Sequence, residues 1–151
     1  MYGRPFYDAV ADALTGFLPP SLRNFEWYRT NHNLKLWYGE NGREHYEVQI
    51  FKKGKDVVLE VGFHAEHKDA SANDEAVARL AGAEKTWRKK LGADPEVGSF
   101  IGRQTAWRRI SEIWGDGSTS QTPDLGDPEL AIDAAMRLAT YITTFEPLRS
   151  P

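Results

Sequence analysis

Glutamate and histidine, the side chains that move protons near neutral pH or hold metal ions, concentrate in residues 45–66 of this chain, HYEVQIFKKGKDVVLEVGFHAE. Glu47, Gln49, Glu60 and His64 fall on one face if the stretch forms two strands, because alternate residues of a strand share a side. Glu47 and Glu60 are then candidates for paired carboxylates in acid–base work, with His64 beside them, provided that strand register lets them meet. His64-Ala65-Glu66-His67 is the sharpest local pattern. It is not the helical HExxH of metalloproteases. On a strand, His64 and Glu66 share a face, while His67 points away or begins a turn. Zinc at a catalytic site takes three protein ligands; His64, Glu66 and His67 are the candidates, with Glu60 or His45 as an alternative third. The spacing does not demand a metal, and antiparallel sheets commonly carry Glu and Gln on a wet outer face. The expectation is therefore a solvated polar face, with these residues as the place to look for a site.

The elements around these residues follow from periodicity. Tyr46, Val48 and Ile50 alternate with His45, Glu47 and Gln49, and Val57, Leu59, Val61, Phe63 and Ala65 form the apolar side of a second strand. Lys53-Gly54-Lys55 reads as the turn between them. Residues 24–29 and 33–39 are two earlier strands, and Asn41-Gly42 is a strong two-residue hairpin signal before the third. A four-stranded antiparallel meander is predicted. Ahead of it, Pro5 opens a helix over 5–18, whose stripe is Phe6, Val10, Ala13, Leu14 and Phe17.

After the meander the period changes. Ser71 and Asp74 fit a capping box, and Val77, Leu80, Glu84, Trp87 and Leu91 predict one helix of about five turns ending at Gly92. Val97, Phe100 and Ile101 suggest a short strand. Residues 107–114 are ambiguous: Trp107, Ile110 and Trp114 lean to a helix, whereas a strand would put Arg108 and Glu112 on its apolar face. Residues 115–126 read as a loop, expected to be the most mobile segment. Asp127 and Pro128 open a last helix with the stripe Ala131, Ala135, Leu138, Ile142 and Phe145, closed by Pro147. The fold expected is one α+β domain over 1–151, with three to four helices packed mainly on one face of the sheet.

Bulk composition narrows the function classes. Nineteen Lys+Arg against 22 Asp+Glu give a net charge of −3, a weak basis for general nucleic-acid binding. Arg88, Lys89, Lys90, Arg103, Arg108 and Arg109 lie among Trp87 and Trp107, but the tryptophans sit on apolar stripes, so the charges read as solvated faces. The absence of cysteine removes thiolate metal sites and a cysteine nucleophile, and fits a cytoplasmic setting. The first residues show no signal-peptide pattern, and no apolar run approaches the ~18 residues of a membrane span. Phosphate-cradling glycine loops and the G-x-S-x-G elbow are missing. No cofactor is expected.

From about residue 73 onward the order of features resembles an uncharacterised C-terminal domain of some bacterial restriction-endonuclease-like proteins. The shared features are Asn73 and a long helix ending in Gly92, the segment Trp107-Arg108-Arg109-Ile110, and a last helix closing with Phe145-Glu146-Pro147. This resemblance implies a strand at 107–114 and carries no catalytic residue. Nuclease chemistry would need Glu-x-Lys, and both Glu60-Val61-Gly62 and Glu47-Val48-Gln49 lack the lysine. Element order alone is similar to type III secretion chaperones, dimers that bind unfolded effector segments. The leading expectation is a non-enzymatic protein-binding or accessory module, with a protein partner or a homodimer. The alternative is a hydrolytic or nucleic-acid-directed enzyme using Glu47, Glu60 and His64.

Overall fold

The computed structural model describes residues 3–149. Among them the chain is α+β: α1 (Arg4–Phe17), β1 (Glu26–Arg29), β2 (Asn33–Trp37), β3 (Glu44–Lys53), β4 (Asp56–Ala65), α2 (Ala70–Ala81), α3 (Glu84–Leu91), β5 (Glu96–Ser99), β6 (Arg108–Trp114) and α4 (Glu129–Arg149). The strands make one antiparallel sheet in the order β1-β2-β3-β4-β6-β5. The predicted meander is its first four strands.

The turn at Gly54-Lys55 sets the long hairpin. Gly54 takes φ 63°, a region that glycine enters without steric cost, and Lys53 pairs with Asp56 on either side of it. The Asn41-Gly42 signal does not work as a two-residue turn. Gly39 carries the positive φ there, and Asn41 instead accepts from the Arg43 amide in a longer connection between β2 and β3.

One side of the sheet shares a single apolar cluster with the helices. Leu34, Leu36, Tyr46, Val48, Ile50, Leu59, Val61, Phe63 and Ile110 meet Val10 and Leu14 of α1, Leu80 of α2, Trp87 of α3, and Leu138, Ile142 and Phe145 of α4. Tyr7 ties α1 to the sheet edge. Its hydroxyl donates to the His32 carbonyl (2.6 Å) and accepts from the Ile50 amide (2.9 Å), a backbone donor beyond the reach of β2.

Four further expectations are corrected. Residues 108–114 are strand, not helix, because the charges that weighed against a strand find partners. Glu112 accepts from Arg137, Tyr141 and Trp114, and Arg108 reaches Asp74. The single helix over 71–92 is two helices. It breaks at Gly82-Ala83, and Trp87 donates its indole N–H to the Leu80 carbonyl across the break (2.9 Å). Asp69, not Ser71, caps α2, accepting from the Ser71 amide. Pro147 lies inside the last turn of α4, which runs on to Arg149.

The centre of the sheet has one position that only glycine fits. Gly62, at φ 154°, faces Ser111 where β4 and β6 approach closely, and a Cβ there would fall 2.5 Å from the Ser111 Cα. No helix of the described residues is long and apolar enough to cross a membrane.

Candidate metal centre

The tight turn fixes the register of β3 on β4, and with it the placement of the polar side chains. His45 stands opposite His64, Glu47 opposite Gly62, and Gln49 opposite Glu60. Pairing continues one step past β4, where the Glu66 amide donates to the Arg43 carbonyl (2.7 Å). Glu47 and Glu66 therefore flank the histidine pair from opposite ends.

These four side chains close a ring. His45 Nε2 lies 2.9 Å from Glu47 Oε1, which lies 3.1 Å from His64 Nδ1. His64 Nδ1 is 2.9 Å from Glu66 Oε2, and that oxygen is 3.5 Å from His45 Nε2. One donor atom from each residue lies within 4.8 Å of all the others. Four donors held tetrahedrally at zinc-ligand bond lengths stand about 3.3 Å apart. The four contacts around the ring, 2.9–3.5 Å, are close to that, and the pairs across it lie within 4.8 Å.

Groups outside the ring hold each donor in place. His45 Nδ1 lies 2.9 Å from the Gly42 carbonyl, which can only accept, so Nδ1 carries a hydrogen and Nε2 is the nitrogen turned to Glu47 and Glu66. Both nitrogens of His64 face carboxylates: Nε2 lies 2.7 Å from Glu60 outside the ring, which leaves Nδ1 turned to the same point as His45 Nε2. The second oxygen of Glu47 accepts from Asn33 (3.2 Å), and that of Glu66 accepts from Lys35 (3.0 Å). Glu60 is held in turn by Gln49 and by Ser111, whose hydroxyl accepts from Arg109. Metal-bound histidines are oriented in this way, by a carbonyl or carboxylate on the far ring nitrogen.

Burial is nearly complete. His45, Glu47, Glu60, His64 and Glu66 are between 0 and 5% exposed, so the expected solvated face is instead an interior. Phe100 sets its ring edge against His64 (centroids 5.1 Å apart), and Trp107 packs on Phe100. Clefts of about 400 Å³ (Trp114, Met136, Arg137 and neighbours) and about 430 Å³ (Leu22, Tyr38, Glu146 and neighbours) lie elsewhere.

Enclosure and mutual contact decide the protonation of the cluster. Burial pushes the Glu47 carboxyl up, and the imidazoles of His64 and His45 more than reverse it, to about 2. Burial likewise raises Glu66, and His45 and His64 bring it below the ordinary carboxylate range. Burial opposes a charge on His64, but Glu60 and Glu47 lift that imidazole well above its ordinary value. His45 is raised against burial by Glu47 and Glu66. Without a cation, two imidazolium rings balance the carboxylates. A divalent cation supplies the same charge.

The structure brings Glu47, Glu60 and His64 together, with His64 as the link. Glu47 and Glu60 are two residues out of register and meet only through its ring. His64 and Glu66 join the ring, whereas His67 pairs with Glu44 (2.8 Å) outside it. His45 completes the set. The signal for it is the repeat of His-x-Glu, His45-Tyr46-Glu47 and His64-Ala65-Glu66, on the two arms of one hairpin. Of the basic residues, Arg88 is bound to Glu84 and to the carbonyls of Gly92, Ala93 and Pro95, and Arg109 to Glu96 and Ser111.

No protein-family model, curated protein or solved structure matches the chain.

Proposed function

We propose that this chain is a metal-binding domain in which His45 Nε2, Glu47 Oε1, His64 Nδ1 and Glu66 Oε2 hold one divalent first-row transition ion. One observation carries the reading: Gly42 and Glu60 bond the far nitrogens of the two imidazoles, so the near nitrogens converge on the carboxylate oxygens of Glu47 and Glu66, where an ion would replace their protons. Imidazole with carboxylate suits zinc, iron or manganese rather than calcium or magnesium, which prefer all-oxygen shells, and the set has no soft sulfur donor for copper(I).

Elemental analysis of the full chain, loaded with zinc and dialysed, tests this. One ion per chain is expected, lost in His45→Ala and in His64→Ala and kept in His67→Ala. A wild-type chain that holds no ion at stoichiometric level contradicts it, leaving protons as the only cations of the cluster.

The edge strand β1 supports a second role, as an accessory module that binds another protein. Trp27 and Tyr28 on this edge are 47% and 60% exposed, and an unpaired edge can accept a further strand. Sedimentation at rising concentration tests a second copy as the partner. Self-association lost on replacing Trp27 and Tyr28 with Ser supports strand addition, and a monomer throughout contradicts a homodimer.

A further inference from the structure

We infer that the ion is a closed, four-coordinate structural one, of which zinc(II) is the type, and that it staples β3 to β4 without offering a position to water or substrate. The inference rests on the metal-binding reading above and goes further, to the kind of ion and its role.

Three observations lead to it. The first is ligand count. The hairpin supplies four protein donors, the complement of a structural zinc site, whereas a catalytic site keeps three and leaves one position open. The second is denticity. Asn33 holds the outer oxygen of Glu47 and Lys35 that of Glu66, so each carboxylate has one oxygen left for the ion and the shell stops at four. The third is enclosure. All four ligands are buried, and Phe100 and Trp107 close the space beside His64.

Charge agrees with a resident ion. The carboxylates of Glu47 and Glu66 neutralise a divalent cation, with Glu60 behind His64 held by Gln49 and Ser111. The surrounding bonds reach Asn33 and Lys35 of β2 and Ser111 and Arg109 of β6, so the centre ties four strands of the sheet. Its loss loosens the middle of the fold.

Cobalt(II) substitution in the full chain reads the coordination directly. Metal is stripped from the wild-type protein with a chelator, so that no variant needs to fold, and cobalt is added alone. The expected result is the intense visible absorption of four-coordinate cobalt, unchanged by azide, together with a higher melting temperature than the stripped protein. Cobalt uptake with the weak bands of a six-coordinate ion, or with bands that shift on adding azide, overturns the closed site and leaves metal binding standing. Failure to take up cobalt or zinc overturns both.

Discussion

His45 lies directly across the β3–β4 hairpin from His64, with ring centroids 5.5 Å apart, and the two rings are oriented from opposite sides, one by a backbone carbonyl and one by a carboxylate. That relationship turns Nε2 of His45 and Nδ1 of His64 to one point between the strands. Glu60 is the positioning residue for His64. Replacing it in Glu60→Gln keeps the shape and removes the charge behind the imidazole. Zinc affinity is expected to fall roughly 10–100-fold with stoichiometry unchanged, as such outer partners typically contribute. Competition with a chromogenic chelator measures it.

The metal-free protein has a stability optimum set by the same cluster. The Glu47 carboxyl titrates at about 2 in the folded chain against an ordinary 4.5, so its contribution is present above 4.5 and is lost as pH falls towards 2. His64 is raised from 6.5, so its contribution is full below 6.5 and is lost as pH rises through its elevated folded value. Urea midpoints of the stripped protein across pH should therefore fall at both ends. The alkaline fall should be smaller in His64→Gln, and zinc should reverse it, since neutral imidazole is the ligand.

Gly62 keeps β4 and β6 in contact. In Gly62→Ala the new Cβ meets the Ser111 Cα and the Ile110 carbonyl at 2.5 and 2.6 Å, with φ in a region that L residues rarely adopt. A loss of roughly 2–5 kcal/mol is expected from overpacking and backbone strain together. Denaturant unfolding of the loaded protein checks it.

Tyr7→Phe removes a hydroxyl that also donates to the carbonyl of His32, an exposed residue. The change leaves the Ile50 amide without the hydroxyl that it donates to, in a buried place. The expected cost is about 1–3 kcal/mol, the penalty of an unsatisfied buried donor, with metal stoichiometry unchanged. Unfolding midpoint and elemental analysis together read both halves.

Much of the fold was legible in the sequence, and the reasons differ by element. The β3–β4 hairpin announces itself because Gly54 punctuates two strictly alternating runs. Eight residues back from Lys53 and eight on from Asp56, the register meets at His45 and His64. What the alternation does not carry is which face is dry. A polar face reads as wet, and here the segment around Phe100 and Trp107 covers it, a tertiary fact with no local sign. The same blindness explains β6. Arg108 and Glu112 look foreign to an inner strand until Asp74 and Arg137 are set beside them. Gly82 resembles a tolerated interruption of a long helix, and only the packing of Trp87 under Leu80 makes it a corner.

In the proposed centre, two imidazoles and two carboxylates of one hairpin share an ion. X-ray absorption at the metal edge of the zinc-loaded full chain tests this most directly. Four nitrogen or oxygen donors at about 2.0–2.1 Å are expected, with the outer-shell scattering of two imidazole rings. A six-coordinate shell of oxygens without imidazole scattering, or a chain that retains no zinc to measure, would contradict it.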